Sequence, residues 1–184
     1  MSDNNLEKVL HGCFHPKKGK PNLSNVPLNA ERARQHIDKS HVNLRAMKLM
    51  FDNELFDWAV VCGYYAMYHA VLAALFNIGI KATAHYCAIA AFKEFFINRG
   101  KVKPEYMTYI TRAKHLERKY AETLDKAQEN RVIEQYGVEI LTNRDAEWII
   151  EDAKDFVLKI EEVLAWKAGV PELDGVGESQ SKKV

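Results

Sequence analysis

The sequence predicts an all-α fold, an antiparallel bundle of about five helices. Apolar residues recur every three or four positions along several segments, which is the spacing of one face of an amphipathic helix. Between Asp57 and Lys81 lie twenty-three residues without Asp, Glu, Lys or Arg. No segment shows the alternation of apolar and polar residues that is typical of a strand. We therefore expect helices packed on helices, without a sheet.

The length and composition predict one globular domain with extensions at both ends. The chain has 184 residues, of which 47% are hydrophobic and 28% charged. We expect a partly irregular N-terminal extension over residues 1–28, a helical bundle over 29–168 and a disordered tail over 169–184. The net charge of +1 gives no indication of the partners of the chain as a whole.

The cysteines and the N-terminus predict a cytoplasmic protein. Cys13, Cys62 and Cys87 are too few for a disulfide framework, so we expect reduced thiols. The first residues carry acids where a signal peptide would be basic, and no apolar run follows them.

The first long helix is predicted to begin after Asn29, a residue that commonly caps helix N-termini. A short frayed helix is expected before it, near Leu6 to Leu10. The segment Asp52 to Glu54 is the expected turn into the next helix. The apolar stripe of the first long helix consists of Ala33, Ile37, Ser40, Leu44, Met47 and Phe51.

The charge-free segment predicts a helix that is hydrophobic on almost every side and must be covered by protein or lipid. Its length would cross a bilayer. Tyr64, Tyr65, Tyr68 and His69 lie at its centre, where a membrane span tolerates polar groups least. We therefore expect a central core helix, ended by Gly79, and no membrane association.

Three further helices follow in the chain. His85 marks the start of the first, which Gly100 ends, and Pro104 fits the first turn of the second. Thr142 and Asp145 resemble a capping box at the start of the last. The stripe of that last helix is the most regular in the chain: Ala146, Ile149, Ile150, Ala153, Phe156, Val157, Ile160, Val163 and Leu164.

Three segments, taken in order, resemble the HEPN domain family, small helical proteins often encoded beside minimal nucleotidyltransferases. They are CGYYAMYHAVLAAL from Cys62 to Leu75, His85 with FKEFF at Phe92 to Phe96, and RVIEQYG from Arg131 to Gly137. The resemblance covers about residues 30–166. It implies an antiparallel bundle that commonly forms homodimers, and many members of the family are ribonucleases.

The ribonucleases of the family resemble one another in an arginine and a later histidine with four to six residues between them. The matching arginine is Arg131, but Tyr136, Gly137 and Val138 occupy the three histidine positions. Cleavage of this kind needs a group that accepts the 2′-hydroxyl proton. Tyrosine, with a reference pKa of about 10, accepts it poorly. The chain therefore resembles the noncatalytic members that carry a tyrosine after this arginine.

Two functions follow from the resemblance. The first is a homodimeric interaction module that binds a minimal nucleotidyltransferase, and that faces a nucleotide or RNA without catalysing cleavage. The second is a metal-independent ribonuclease, the toxin of a toxin–antitoxin pair, in which Arg131 would act with His85 or His115. The basic stretch from Arg112 to Lys119 could contact phosphates in either case, or form a solvated helix face.

The candidate nucleotide- or RNA-facing residues are Arg131, Tyr136, His85, Tyr65 and His69. Arg131 fits an anion contact or a structural ion pair equally well. His69 also fits a core histidine bonded to a tyrosine or a carbonyl.

We expect neither a metal site nor a cofactor. His11, Cys13 and His15 alternate in HGCFH, but a structural zinc needs a fourth ligand, which is absent from the neighbouring sequence. No Gly-rich phosphate loop is present.

Overall fold

The computed structural model of the protein describes residues 3–115 and 142–168, and over these residues the prediction of an all-α fold is confirmed. The described part contains six helices and two strands of three residues each. The helices are α1 (Asp3–Phe14), α2 (Ala30–Asp52), α3 (Phe56–Phe76), α4 (His85–Phe92), α5 (described over 105–115) and α6 (Asn143–Ala168). A π-helical segment, Lys93–Ile97, continues α4.

Several helix ends lie where the sequence predicts them. The Asn29 side chain accepts a hydrogen bond of 2.8 Å from the Arg32 amide and caps α2. Gly79 follows α3 with φ +73° and donates its amide to the Phe76 carbonyl. A residue with a Cβ is strained at this φ, and a Cβ would also meet the Val26 carbonyl oxygen at 2.7 Å. Glycine is therefore required at this turn.

Helix α3 forms the centre of the bundle, as its charge-free sequence predicts. Thirteen of its 21 residues are buried, chiefly against α2 and α6. Among the described residues, α3 is the one helix long and apolar enough to cross a membrane, and 72% of its most apolar window is buried inside the protein. Protein therefore covers most of the apolar surface that lipid would otherwise have to cover.

A small sheet that the sequence does not predict joins the N-terminal segment to the bundle. Strand β1 (Leu23–Asn25) pairs antiparallel with β2 (Ile80–Ala82). Three residues are too few to show a period of two, so the pattern carries no strand signal. Leu6 and Leu23 are also buried, so the segment before α2 contributes to the core. The boundaries at residues 28 and 168 stay predictions, and the tail over 169–184 lies outside the described residues.

The expectation of three reduced thiols is wrong for two of the cysteines. Cys13 of α1 and Cys87 of α4 form a disulfide, with their Cα atoms 5.9 Å apart, and Cys62 remains a free thiol. The two paired cysteines are separated by 74 positions. They meet because α1 packs on α4, a tertiary contact that cysteine counting cannot reveal.

Gly63 allows the close approach of α3 to α2 and α6. A Cβ at this position would overlap Ile149 and would lie 3.0 Å from the Met47 sulfur. We predict that Gly63→Ala lowers the free energy of unfolding by about 1–3 kcal/mol, because the buried neighbours must move. Urea denaturation measures the change.

Gly12→Ala is the matched control. A Cβ at position 12, in the exposed side of α1, meets nothing within 4 Å. That change should leave stability equal or raise it by up to about 1 kcal/mol, because alanine favours helix. Equal effects of the two substitutions would show that the helices do not depend on a small residue at position 63.

Candidate functional site

Two regions of the described structure combine polar groups in a way that could serve a function. One is a cluster of tyrosine and histidine rings where α2, α3 and α4 meet. The other is a groove with basic side chains between α4, α5 and α6.

The first half of the ring cluster surrounds His85, the first residue of α4. The Tyr64 hydroxyl lies 2.7 Å from His85 Nδ1. The Tyr68 ring stacks on the imidazole with a centroid distance of 3.9 Å, and the Tyr65 ring meets its edge at 5.9 Å. Positions 64, 65 and 68 lie within one turn of α3 and so face one neighbour. The structure thus brings together Tyr65 and His85, two of the candidates from the sequence.

The second half of the cluster is a pair of histidines. His36 of α2 and His69 of α3 place their Nδ1 atoms 3.1 Å apart, and their rings stack at 5.3 Å. His36 also stacks on Phe76. The hydrogen-bond partner of His69 is thus another histidine, and the expectation of a tyrosine or carbonyl partner is wrong. Sequence reasoning missed His36, although it lies three positions after Ala33 and four before Ser40, next to the apolar stripe of α2.

The environment keeps His36, His69 and Tyr68 uncharged at neutral pH. Burial, followed by the nearby positive charges of His36, Lys39 and His85, lowers the pKa of His69 to about 4. Burial, followed by the charge of Arg32, lowers the pKa of His36. Burial and the neighbouring Tyr65 raise the pKa of Tyr68 to about 12. A histidine with so low a pKa is a weak base at neutral pH, so the His36–His69 pair suits packing and hydrogen bonding better than proton abstraction.

The basic groove has a volume of about 1370 Å³. Its described lining includes five basic side chains and no Asp or Glu; the basic ones are Lys93, Arg112, Lys114, His115 and Arg144. The Arg112 guanidinium lies over the Trp148 ring, 3.8 Å from its centroid. Burial raises the pKa of the neighbouring Asp152, and the charge of Arg112 opposes this effect in part. The groove can therefore hold an anion beside an aromatic surface.

The aromatic surface of the groove comes from helices distant in sequence from the basic stretch. Tyr86 lies on α4 and Trp148 on α6, whereas Arg112 and His115 lie on α5. Because aromatic residues are not regularly interleaved with the stretch from Arg112 to Lys119, the sequence alone supports a solvated helix face at least as well as a phosphate contact. The bundle brings the two sets of residues together.

Of the candidate residues that the structure describes, three lie together and one lies apart. His85, Tyr65 and His69 lie in the ring cluster, and His115 lies in the groove. His85 is absent from the groove lining, although its neighbour Tyr86 is part of it. Arg131 and Tyr136 lie outside the described residues.

The segment HGCFH does not assemble a metal site in the described structure. The sulfur of Cys13 is bonded to Cys87, and the rings of His11 and His15 lie 5.2 Å apart. Residues 3–115 and 142–168 contain no group of three His, Cys, Asp or Glu placed to hold a metal ion.

One side of α3 is covered only in part by the residues that the structure describes. We call this side the open face of α3, and it consists of Trp58, Cys62, Tyr65, His69 and Phe76. The Trp58 side chain is 60% exposed, and the other four residues are half-buried. Their spacing of three, four or seven positions places them along one line of the helix. The sequence contains this spacing, but the surrounding apolar residues conceal it because every side of α3 is apolar.

Comparisons with known proteins agree on one family. The chain matches the HEPN domain over residues 33–163. It is 31% identical over 128 residues to a protein of Methanocaldococcus jannaschii named "Putative toxin", an alignment that covers 70% of this chain and 85% of that protein. A second protein of the same organism, with the same kind of name, is 30% identical over 77 residues, which cover 42% of this chain and 52% of that protein.

The histidine pair predicts that acid destabilises the fold. Because the pKa values of His36 and His69 are lower in the folded chain than the unfolded value of 6.5, the unfolded state binds more protons below that pH. The titration of the two histidines therefore does not affect the free energy of unfolding above a pH of about 6.5. It lowers that free energy as the pH falls toward about 4. The basic groups Arg32, Lys39 and His85 around the pair act in the same direction.

Thermal unfolding between pH 7.5 and 4.5 tests this prediction. His69→Gln should make the melting temperature depend less on pH than it does in the unchanged protein, because one titrating group is removed. His15→Gln, at an exposed position, should keep the full dependence. An unaltered dependence in the His69 variant would contradict the assignment.

Proposed function

Because this chain belongs to the HEPN domain family, we propose that it is a homodimeric interaction module of a toxin–antitoxin pair. The partner we propose is a minimal nucleotidyltransferase, as the resemblance of the three sequence segments implies. The names of the two archaeal relatives support membership in such a pair. The observation that carries the dimeric part of the proposal is the open face of α3.

The open face of α3 has the composition of a protein–protein interface. Trp58 and Tyr65 are large aromatic residues of the kind that anchor interfaces. No charged residue lies between Trp58 and Ile80, so a second copy could pack against this face without burying an unpaired charge. A single exposed tryptophan is ordinary on a monomer, whereas a line of five partly uncovered residues is the kind of surface that a partner covers.

The charges at the two ends of α3 favour an antiparallel arrangement of two copies. Asp57 lies in the first turn of α3, and Lys81 lies in β2 just after the helix. An antiparallel pair would bring Asp57 near Lys81 of the second copy, at both ends of the contact. It would also oppose the two helix dipoles. A twofold axis near the middle of α3 gives the self-complementary interface that is usual in dimers.

We predict that Trp58→Lys converts a dimer into a monomer. A lysine in the open face of α3 would be buried without a partner, and loss of an aromatic anchor commonly costs about 2 kcal/mol or more of binding free energy. Sedimentation equilibrium measures the change, and the unchanged protein should have twice the mass of one chain.

Leu158→Lys is the matched control for Trp58→Lys. Leu158, on α6, is 57% exposed, close to the 60% of Trp58. This variant should remain a dimer. Equal masses of all three proteins would contradict an interface at the open face of α3.

Co-expression with the product of the adjacent gene tests the proposed nucleotidyltransferase partner. Failure of that product to copurify with the dimer would remove this partner from the proposal.

The basic groove favours a second candidate function, directed at RNA. Phosphates supply affinity that does not depend on sequence, and Arg112, Lys114 and Arg144 could contact them. Trp148 and Tyr86 offer aromatic surfaces of the kind on which unpaired bases stack. The ligand of this candidate is thus single-stranded RNA, either bound as by a noncatalytic member or cleaved as by a ribonuclease toxin.

If the chain cleaves RNA, the geometry favours His115 over His85 as the proton acceptor. His85 lies between three tyrosine rings and contacts the Tyr64 hydroxyl, while its own position is outside the groove. His115 lines the groove beside Arg112 and is exposed. Such a histidine could take the 2′-hydroxyl proton of an RNA held there.

We predict that Arg144→Gln weakens binding of a 12-nucleotide single-stranded RNA and lowers the slope of log affinity against log salt by about 1, since one phosphate contact is lost. Arg34→Gln is the control, because Arg34 is exposed on α2 and lies outside the groove. Fluorescence anisotropy at several salt concentrations measures both.

An assay for cleavage of the same RNA distinguishes a ribonuclease from a noncatalytic RNA-binding protein. A ribonuclease should lose cleavage in His115→Ala and keep it in a folded His85→Ala. Absence of cleavage in every sample, together with binding that depends on Arg144, would leave a noncatalytic RNA-binding protein. Equal binding by the Arg144 and Arg34 variants would exclude the groove as the binding site.

A further inference from the structure

The disulfide between Cys13 and Cys87 attaches an element that lies outside the region matched by the family. The family match begins at residue 33, whereas α1 ends at Phe14. Helix α1 packs on α4 and touches β1. Its inner side is apolar and consists of Leu6, Val9, Leu10, Cys13 and Phe14. This chain therefore carries a helix before the matched region, and one covalent bond ties that helix to the bundle.

Helix α1 forms part of the wall of the basic groove. Val9 lines the groove beside Tyr86, Ile89 and Ala90 of α4. These three residues of α4 lie within one turn of Cys87, so the disulfide holds α1 at the edge of the groove. The disulfide thus positions one wall of the groove.

Without the disulfide, α1 is held in place by noncovalent contacts alone. A helix of 12 residues is barely stable by itself in water, so α1 depends on its contacts with the rest of the chain. Those contacts are the apolar side described above and the hydrogen bonds of the following segment, such as that from the Asn22 amide to the Cys13 carbonyl. Elements with few buried contacts open at a lower free energy than the core.

We propose that the Cys13–Cys87 disulfide is a reducible clasp, which keeps α1 closed over the edge of the basic groove when oxidised and frees α1 when reduced. The reductant is a dithiol. Its thiolate attacks one sulfur, the Cys13–Cys87 bond breaks, and a mixed disulfide forms. The second thiol of the reductant then releases it as a cyclic disulfide. Two electrons and two protons pass to the protein, which then carries the thiols of Cys13 and Cys87.

Burial determines when this reaction can occur. Cys13 is 1% exposed and Cys87 is fully buried, so a reductant reaches the sulfurs only after α1 lifts away from α4. Opening of α1 therefore precedes reduction, and the loss of the bond then favours the open form. Cys62, which lies on α3 and is half-buried, takes no part in the exchange.

The residue that α1 places in the groove determines how its release affects binding. Helix α1 supplies only the apolar Val9 to the described lining. Its closed position therefore narrows the edge of the groove and adds no phosphate contact. Release of α1 should admit an anionic ligand more readily and strengthen its binding, a consequence that rests on the RNA-binding candidate above.

Hydrogen exchange of the full chain, before and after treatment with dithiothreitol, tests the clasp. Reduction should speed exchange of the α1 amides by about tenfold or more and leave the amides of α3 unchanged. The Cys13→Ser/Cys87→Ser variant should exchange at the fast rate in both conditions, and Cys62→Ser should behave like the unchanged protein. Equal α1 exchange in the oxidised and fully reduced proteins would overturn the proposal.

A thiol titration completes the test of the clasp. Native protein treated with dithiothreitol should yield three thiols. A yield of one, with three after denaturation in the presence of dithiothreitol, would overturn the proposal because α1 does not open. A 12-nucleotide RNA probes the groove, and reduction should tighten its binding by about threefold or more. If the RNA binds neither the oxidised nor the reduced protein, the RNA-binding candidate is overturned. The clasp is not, since the exchange rates decide it. Equal RNA affinity with α1 released would show that α1 does not control the groove.

Discussion

The burial of α3 between α2 and α6 is the constraint on which the rest of the structure depends. A helix with no charged residue between Trp58 and Ile80 cannot remain in water on most of its sides. The bundle covers thirteen of its residues, and close contact is achieved because Gly63 leaves room for Met47 and Ile149. The hydrophobic surface removed from water is the main favourable term in such packing.

The polar groups within α3 determine what its neighbours must supply. Tyr64 and His69 occur on a helix that is otherwise apolar, and buried polar groups need hydrogen-bond partners. His85 of α4 and His36 of α2 provide them. The ring cluster is thus explained by the packing of α3, and its low-pKa histidine pair does not require a catalytic role. The basic groove, which lies away from these rings, is the better place for an anionic ligand.

The incomplete coverage of α3 connects the fold to the proposed dimer. Helices α2, α4 and α6 occupy most of its circumference, and the open face of α3 remains. When few helices pack around a helix that is apolar on every side, a line of its residues stays partly exposed. A further partner can then cover that line. The same bundle places basic residues of α5 beside aromatic residues of α4 and α6, so one molecule offers separate surfaces for a second copy and for an anion.

The sequence predicts the features that depend on local chemistry. The cap at Asn29, the turn at Gly79 and the central position of α3 follow from residue type and spacing, and the structure confirms them. The resemblance to the HEPN domain family is confirmed by the match over residues 33–163.

Features that depend on contacts between distant segments are not predictable in this way. The His36–His69 pair joins positions 33 residues apart, and the Cys13–Cys87 disulfide joins positions 74 apart. The groove combines Trp148 with the basic stretch in the same manner. The assigned roles of Arg131 and Tyr136 stay predictions.

The central claim is that a second copy covers the open face of α3, and the reactivity of Cys62 tests it most directly. Cys62 lies on that face, is half-buried and is the one cysteine outside the disulfide. Burial raises the pKa of its thiol, so an alkylating reagent at alkaline pH reports how accessible the sulfur is. The account predicts that the alkylation rate falls as protein concentration increases, because the dimer shields Cys62. A rate that does not change with protein concentration, from dilute solution to concentrations at which sedimentation shows a dimer, would contradict it.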